Sequence, residues 1–229
     1  MRKLPGPRRF AALASLVVVC AVAAPLAARA DIASIGQAGA RATEQAVRIN
    51  RLCTRVWVIG DSLTVGSAAA LRSGLDSLKL EAEIVDGANN RRISATAPIS
   101  GVRAARSIRA TSGEANCWVI ALGTNDISNG VITTTRARAA VAEMLAEVTP
   151  QARVWWVNVD FRSLDQSTRT FNTVLNERAA ADLRFAVIDW YALAESHPEW
   201  FVDVVHVNSA GYTARAALIV DSLRRSSGK

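Results

Sequence analysis

An alternation along the chain limits its fold more than any other feature. Short apolar runs rich in Val, Ile and Trp stand at 55–59, 82–86, 117–122, 153–159 and 185–189. Between them lie segments of helical spacing near 66–79, 101–110, 133–148 and 168–182, and a last one over 209–225 is opened by Asn208 or Ser209 as a cap. Strand and helix repeated in this order predict a parallel sheet with helices on both faces. The expected architecture is a three-layer α/β/α sandwich around five parallel strands. In such folds ligands bind beyond the carboxyl ends of the strands, so the residues after each apolar run carry the most information.

The first thirty residues stand outside this pattern. Arg2, Lys3, Arg8 and Arg9 make a basic start, an uncharged apolar run follows over 10–24, and Ala28-Arg29-Ala30 places small residues where a signal peptidase reads. Residues 1–30 therefore read as a secretory signal of the general route, cleaved after Ala30. A membrane anchor is the competing reading, but about fifteen apolar residues fall short of the roughly 20 that span a bilayer. Five of the 27 Lys/Arg and none of the 20 Asp/Glu lie in this segment. The remainder, with 22 basic against 20 acidic residues, carries +2 rather than +7, which removes the case for a nucleic-acid partner. Residues 31–53 read as a polar, helical lead-in, 54–225 as one domain and 226–229 as a disordered tail.

Two cysteines follow the signal, Cys53 and Cys117, each just ahead of an apolar run. If both runs are neighbouring parallel strands, the sulfurs meet at one edge of the sheet. An exported chain would then hold them as a disulfide.

Three segments carry candidate chemistry. After the first run comes Gly60-Asp61-Ser62-Leu63, a sharp strand-to-helix turn that presents Ser62 where unpaired helix amides favour negative charge. Gly60 is expected to supply unusual dihedrals there. After the third run comes Gly123-Thr124-Asn125-Asp126, whose asparagine is a neutral donor suited to an oxyanion; an Asx-turn is the bland alternative. Near the C-terminus, Asp203 precedes His206 by three residues, a spacing that one helical turn would bring to one side. A serine hydroxyl needs a base, and the base needs a partner that fixes its tautomer. His197, the other histidine, is followed by Pro198 and reads as a loop residue. Any one segment alone is a common turn; together, on one rim, they point to a serine hydrolase.

These segments resemble the blocks of the SGNH (GDSL-type) serine esterase family over about 54 to 225, and that family has a flavodoxin-like fold. The resemblance implies Ser62 as nucleophile, His206 as base and Asp203 as its orienting acid. It also implies an oxyanion hole formed by the Ser62 amide and the Asn125 side chain, with a backbone amide from the second block. That block normally supplies a glycine. Here, in Val85-Asp86-Gly87-Ala88-Asn89-Asn90-Arg91-Arg92, the matching position falls on Asn90, with Gly87 as the alternative donor. Neighbouring motifs, among them Val-Ile-Asp-Trp and Pro-Glu-Trp-Phe, look most like SGNH domains of bacterial envelope O-acyl transfer.

The resemblance implies an exported, free-standing esterase that hydrolyses or transfers small acyl groups such as acetyl on envelope glycans. No cofactor or metal is expected, nor stable membrane insertion once the signal is gone, and a monomer is favoured. A lipase for longer acyl chains and a silent glycan-binding module are the rival readings. Trp155, Trp156, Trp190 and Trp200 read as packing rather than a sugar platform. Arg91, Arg92, Arg103, Arg106 and Arg109 read as a solvated helix face rather than an anion site.

Overall fold

Five short strands, all parallel, form the sheet: β1 (Arg55–Gly60), β2 (Ala82–Gly87), β3 (Cys117–Ala121), β4 (Arg153–Val157) and β5 (Phe185–Ile188), in the order β2-β1-β3-β4-β5. The computed structural model describes residues 53–128 and 132–226. The signal, nearly all of the helical lead-in and the last three residues of the expected tail lie outside them. Seven helices are described: α1 (Ser62–Asp76), α2 (Gly101–Ser112), α3 (Thr124–Ile127), α4 (Thr134–Leu145), α5 (Asp165–Ala181), α6 (Trp190–Glu195) and α7 (Ser209–Ser226). Among the described residues no helix is long and apolar enough to cross a membrane.

Alternate residues of each strand feed two separate cores. Trp57, Ile59, Trp118, Ile120, Val154 and Trp156 pack with Val102 and Ile108 of α2, Val141 and Met144 of α4, and Phe171 and Leu175 of α5. Val56, Val58, Val119, Trp155 and Val157 pack with Leu71 and Leu75 of α1 and Ile219 and Leu223 of α7. Burial on both faces is why the inner strands β1, β3 and β4 read as nearly unbroken apolar runs, whereas the edge strand β2 is half-buried throughout and admits Glu83 and Asp86. Trp155, Trp156 and Trp190 are buried, while the half-buried Trp200 ring stacks between Trp190 and His197. The basic face of α2 is largely paired: Arg103 donates to the carbonyls of Ala95, Ala97 and Pro98, Arg106 to Glu147 and Arg109 to Glu114.

Some boundaries differ from the sequence reading, each for a local reason. α1 begins at Ser62 rather than 66, because the buried Asp61 caps it, accepting from the Leu63 amide at 3.0 Å. β4 stops at Val157 because the Asn172 side chain takes both backbone groups of Val159. At the last helix Asn208 is the cap, accepting from the Gly211 amide. The short helices α3 and α6 have no counterpart in the sequence reading; six residues or fewer leave too little periodicity to read.

The register aligns the site-forming strand ends. Gly60 lies opposite Gly87 on one side and Ala121 on the other, so β1, β2 and β3 end at one level. The chain runs from β1 outward to β2 and then returns past β1 to β3, opening a crevice where the order reverses. Asp126 ties the two sides of this rim together by accepting from the Ile93 amide at 3.1 Å. Burial raises the Asp126 carboxyl to about 7, against the opposing pull of the Ile93 amide and Arg92.

At the opposite edge Cys53 and Cys117 form a disulfide, with Cα atoms 5.6 Å apart. Beside it the Asn116 side chain accepts from the amides of Thr54 and Arg55, tying the segment before β1 to the start of β3.

Both the bridge and the half-buried Asp126 carboxyl make stability measurable against a stated value. The bridge closes a loop of 64 residues, worth about 4 kcal/mol as an upper chain-entropy value. The Cys53→Ala/Cys117→Ala variant should therefore lose about 2–4 kcal/mol in denaturant unfolding, and a loss below about 1 kcal/mol would contradict the bridge. Asp126, with its raised folded value, keeps a proton that the unfolded chain has already released, so it lowers stability as pH rises from about 4 to about 7. Asp126→Asn should gain on the natural protein by about 2–3 kcal/mol between pH 5 and pH 8 in urea unfolding. An offset independent of pH would contradict this.

Candidate active site

Ser62 opens α1, directly after the buried Asp61, where the first-turn amides have no intrahelical acceptor. Gly60 is required for space rather than for unusual dihedrals: a Cβ there would lie 1.9 Å from Thr64 Oγ1, and its φ is not among the positive ones. Gly87 has a similar reason, since a Cβ would come 2.8 Å from the Val65 amide nitrogen of α1. Gly123 carries both demands, with φ at +130° and the Phe171 ring 2.4 Å from where a Cβ would stand.

The Ser62 Oγ lies 2.9 Å from His206 Nε2, across 144 residues of sequence. The other ring nitrogen, Nδ1, lies 2.8 Å from Asp203 Oδ2. Asp203 Oδ1 accepts from the amides of Val205 and His206 at 2.7 and 2.6 Å. Desolvation pushes the Asp203 carboxyl up, but these amides and the imidazole outweigh it, and the net shift is downward. Asp203 therefore stays ionised across the neutral range and can hold the imidazole with Nδ1 protonated and Nε2 free to accept.

The three-residue spacing works without a helix. Residues 202–205 form bends between Phe201 and Val207, which pair in an antiparallel bridge, and the Val202 amide donates to the His206 carbonyl. Val202, Val204 and Val205 explain why: a β-branched cluster is poor helix material. Arg162 braces this loop from the far side. Its amide donates to the Val204 carbonyl at 3.0 Å, and its guanidinium carbon lies 4.1 Å from the Phe201 ring centre.

The serine and imidazole share an open cavity of about 460 Å³ with Asn90, Asn125, Phe161 and Val205. Asn90 has φ of +57°, the left-handed conformation for which glycine and asparagine are suited. Asn125 Nδ2 donates to the Arg91 carbonyl at 3.2 Å and has a second hydrogen to give. Gly87 ends β2 and is not among the residues lining the cavity. Arg91 departs from both sequence readings, being neither on a helix face nor exposed: its side chain is buried and bonded to Asp86 and Gly60. Phe161 and Arg162 left no sequence signal, because only the fold brings their loop to the rim. Among the described residues no group of three or more His, Cys, Asp or Glu side chains is set to hold a metal ion.

Comparison with known proteins identifies the family. Residues 58–214 match the model of the GDSL-like lipase/acylhydrolase family. The chain is 27% identical over 170 residues to YrhL of Bacillus subtilis (strain 168), named as a putative peptidoglycan O-acetyltransferase. That match covers 74% of this chain and 24% of YrhL, so the chain spans about a quarter of its relative's length. Among solved structures, the C-terminal catalytic domain of Streptococcus pneumoniae peptidoglycan O-acetyltransferase A superposes with a TM-score of 0.60 at 16% identity, covering 78% of this chain and 97% of that one. A member of the lipolytic G-D-S-L family from Veillonella parvula gives 0.61 at 20% identity, covering 75% and 98%. The fold is thus the one those proteins share, and by the extent of the family match this chain belongs to the GDSL-like lipase/acylhydrolase family and is an esterase of that family.

Proposed function

We propose that this protein is an exported serine esterase that removes or transfers small acyl groups, acetyl above all, on cell-envelope glycans. The observation that carries the catalytic part is the hydrogen-bonded line from Ser62 Oγ through His206 to Asp203, at 2.9 and 2.8 Å. In this reading Ser62 Oγ attacks the ester carbonyl carbon while His206 Nε2 takes the hydroxyl proton. Asp203 stabilises the imidazolium, as the orienting acid of a triad does. His206 then gives that proton to the departing sugar oxygen, leaving an acyl-enzyme. Water or a second sugar hydroxyl, deprotonated by the same imidazole, attacks the acyl carbon, and the imidazole returns that proton to Ser62 Oγ as the bond between it and the acyl carbon breaks.

The developing oxyanion needs donors fixed in advance. The amides of Ser62 and Asn90 and the second Nδ2 hydrogen of Asn125 fill that role. Replacing a family glycine by Asn90 costs little here, because the amide is what donates and the left-handed backbone is kept.

Support for the substrate class comes from the named activities of YrhL and the pneumococcal domain. The half-exposed Asp203 and His206 side chains and the open cavity also suit a bulky glycan that stays largely in solvent. Export is supported by the basic and apolar start with its Ala-Arg-Ala site and by the Cys53–Cys117 bridge.

Ser62→Ala should lower kcat on p-nitrophenyl acetate by at least about 10³-fold, as loss of a serine nucleophile does elsewhere. A rate within a few-fold of the natural protein would refute the assignment. For the substrate class, kcat/KM should fall from acetyl to decanoyl p-nitrophenyl esters, and acetylated envelope polysaccharide should release acetate. A rate that climbs with chain length would favour the lipase reading instead.

A further inference from the structure

Arg91 follows Asn90 on the loop after β2, and its side chain is only 7% exposed. Its guanidinium reaches three acceptors on two strands. Nη1 donates to the Gly60 carbonyl at 3.1 Å and to the Asp86 carbonyl at 2.7 Å, and Nη2 donates to Asp86 Oδ1 at 3.0 Å. The Arg91 carbonyl in turn accepts from Asn125 Nδ2 at 3.2 Å. Gly60 ends β1 two residues before Ser62, Asp86 lies at the end of β2, and Asn125 lies in α3 beyond β3. One residue thus bonds to the exits of all three strands that surround the cavity.

We infer that Arg91 is a positioning residue of the oxyanion hole, holding the Asn90 amide and the Asn125 side chain at a fixed separation from Ser62. This rests on the function proposed above. The guanidinium touches no reacting atom; it acts through the two groups on either side of it.

The chemistry favours arginine at this point. A planar guanidinium keeps its charge when buried and offers several donors in a rigid fork, whereas a lysine ammonium is a single point on a flexible stem. Asp86 supplies the counter-charge, and its side chain is 32% exposed, so removing Arg91 does not strand a buried carboxylate. The need for a brace is local. The stretch 88–91 belongs to no strand or helix, and Asn90 within it holds a left-handed backbone that a side chain disfavours. An oxyanion donor that drifts by about an ångström loses much of its effect on the transition state while substrate still binds. By engaging one Nδ2 hydrogen of Asn125, the Arg91 carbonyl also sets the plane of that amide and aims the other hydrogen.

Steady-state kinetics of the full chain on p-nitrophenyl acetate tests this with Arg91→Met and Arg91→Lys. Arg91→Met should lower kcat by about 10²-fold with KM changed less than about threefold, and the acid limb of its pH profile should not move, since the Ser62–His206–Asp203 line is untouched. Arg91→Lys, which keeps the charge but not the fork, should fall between the two. A folded Arg91→Met protein with kcat within about threefold of the natural one would overturn the inference, as would a loss confined to KM. If circular dichroism shows that the Met variant does not fold, the Lys variant decides: a kcat drop of about tenfold at unchanged KM supports the role, and an unchanged kcat overturns it. The Ser62→Ala control separates the two levels. Activity that survives it undermines the proposed function itself, whereas a Ser62-dependent rate indifferent to Arg91 removes only this inference.

Discussion

The packing of α1 against α7 holds together two groups that the chain separates by 144 residues, since α1 begins with Ser62 and α7 starts three residues after His206. Leu71 and Leu75 meet Ile219 and Leu223 in one core, and each such side chain contributes about 1.5–3 kcal/mol on burial. Close approach depends on two glycines: a Cβ at Gly66 would lie 2.3 Å from the Tyr212 ring, and one at Gly74 2.6 Å from Val220. Nearer the site, Arg215 of α7 donates to Ser67 Oγ, which donates to the Leu63 carbonyl in the first turn of α1. Burial pushes both Asp61 and Arg215 toward their neutral forms, and their mutual attraction works against it. A slide of one helix by about an ångström would break the 2.9 Å contact on which the proposed chemistry depends.

The sheet supplies the rest by topology. With β1 between β2 and β3, the segments after all three strands open onto one crevice, and each donates a part: Ser62, Asn90 and Asn125. Irregular segments of this kind hold a geometry only when cross-linked. Asp126 bonded to Ile93 and Arg91 bonded to Gly60, Asp86 and Asn125 provide those links. The shape the proposed oxyanion hole needs and the satisfaction of backbone groups are met by the same few hydrogen bonds.

Much of this is legible in the chain. The inner strands, covered on both faces, announce themselves as apolar runs, and a parallel order follows from the helical segments between them. The proposed nucleophile, donor and base, Ser62, Asn125 and the Asp203–His206 pair, stand out because few residue types suit such work, and each falls at a strand exit or before the last helix. The disulfide follows from the placement of two cysteines before neighbouring strands. What the sequence hides are relations set by contact. Nothing near Gly60 reveals that Thr64 occupies its Cβ position, and nothing in an Arg pair tells which member is buried. The bent loop carrying Asp203 and His206 reads as a helical turn because spacing alone cannot distinguish them. Phe161 and Arg162 reach the rim only through the fold.

In the function proposed, folding gathers an activated alcohol and a preset oxyanion hole at one point. The most direct test of this is the crystal structure of the protein after reaction with a fluorophosphonate. A covalent bond to Ser62 Oγ is expected, with the phosphoryl oxygen about 3 Å from both the Asn90 amide and Asn125 Nδ2. An adduct on another residue, or a phosphoryl oxygen facing solvent away from both donors, would contradict it.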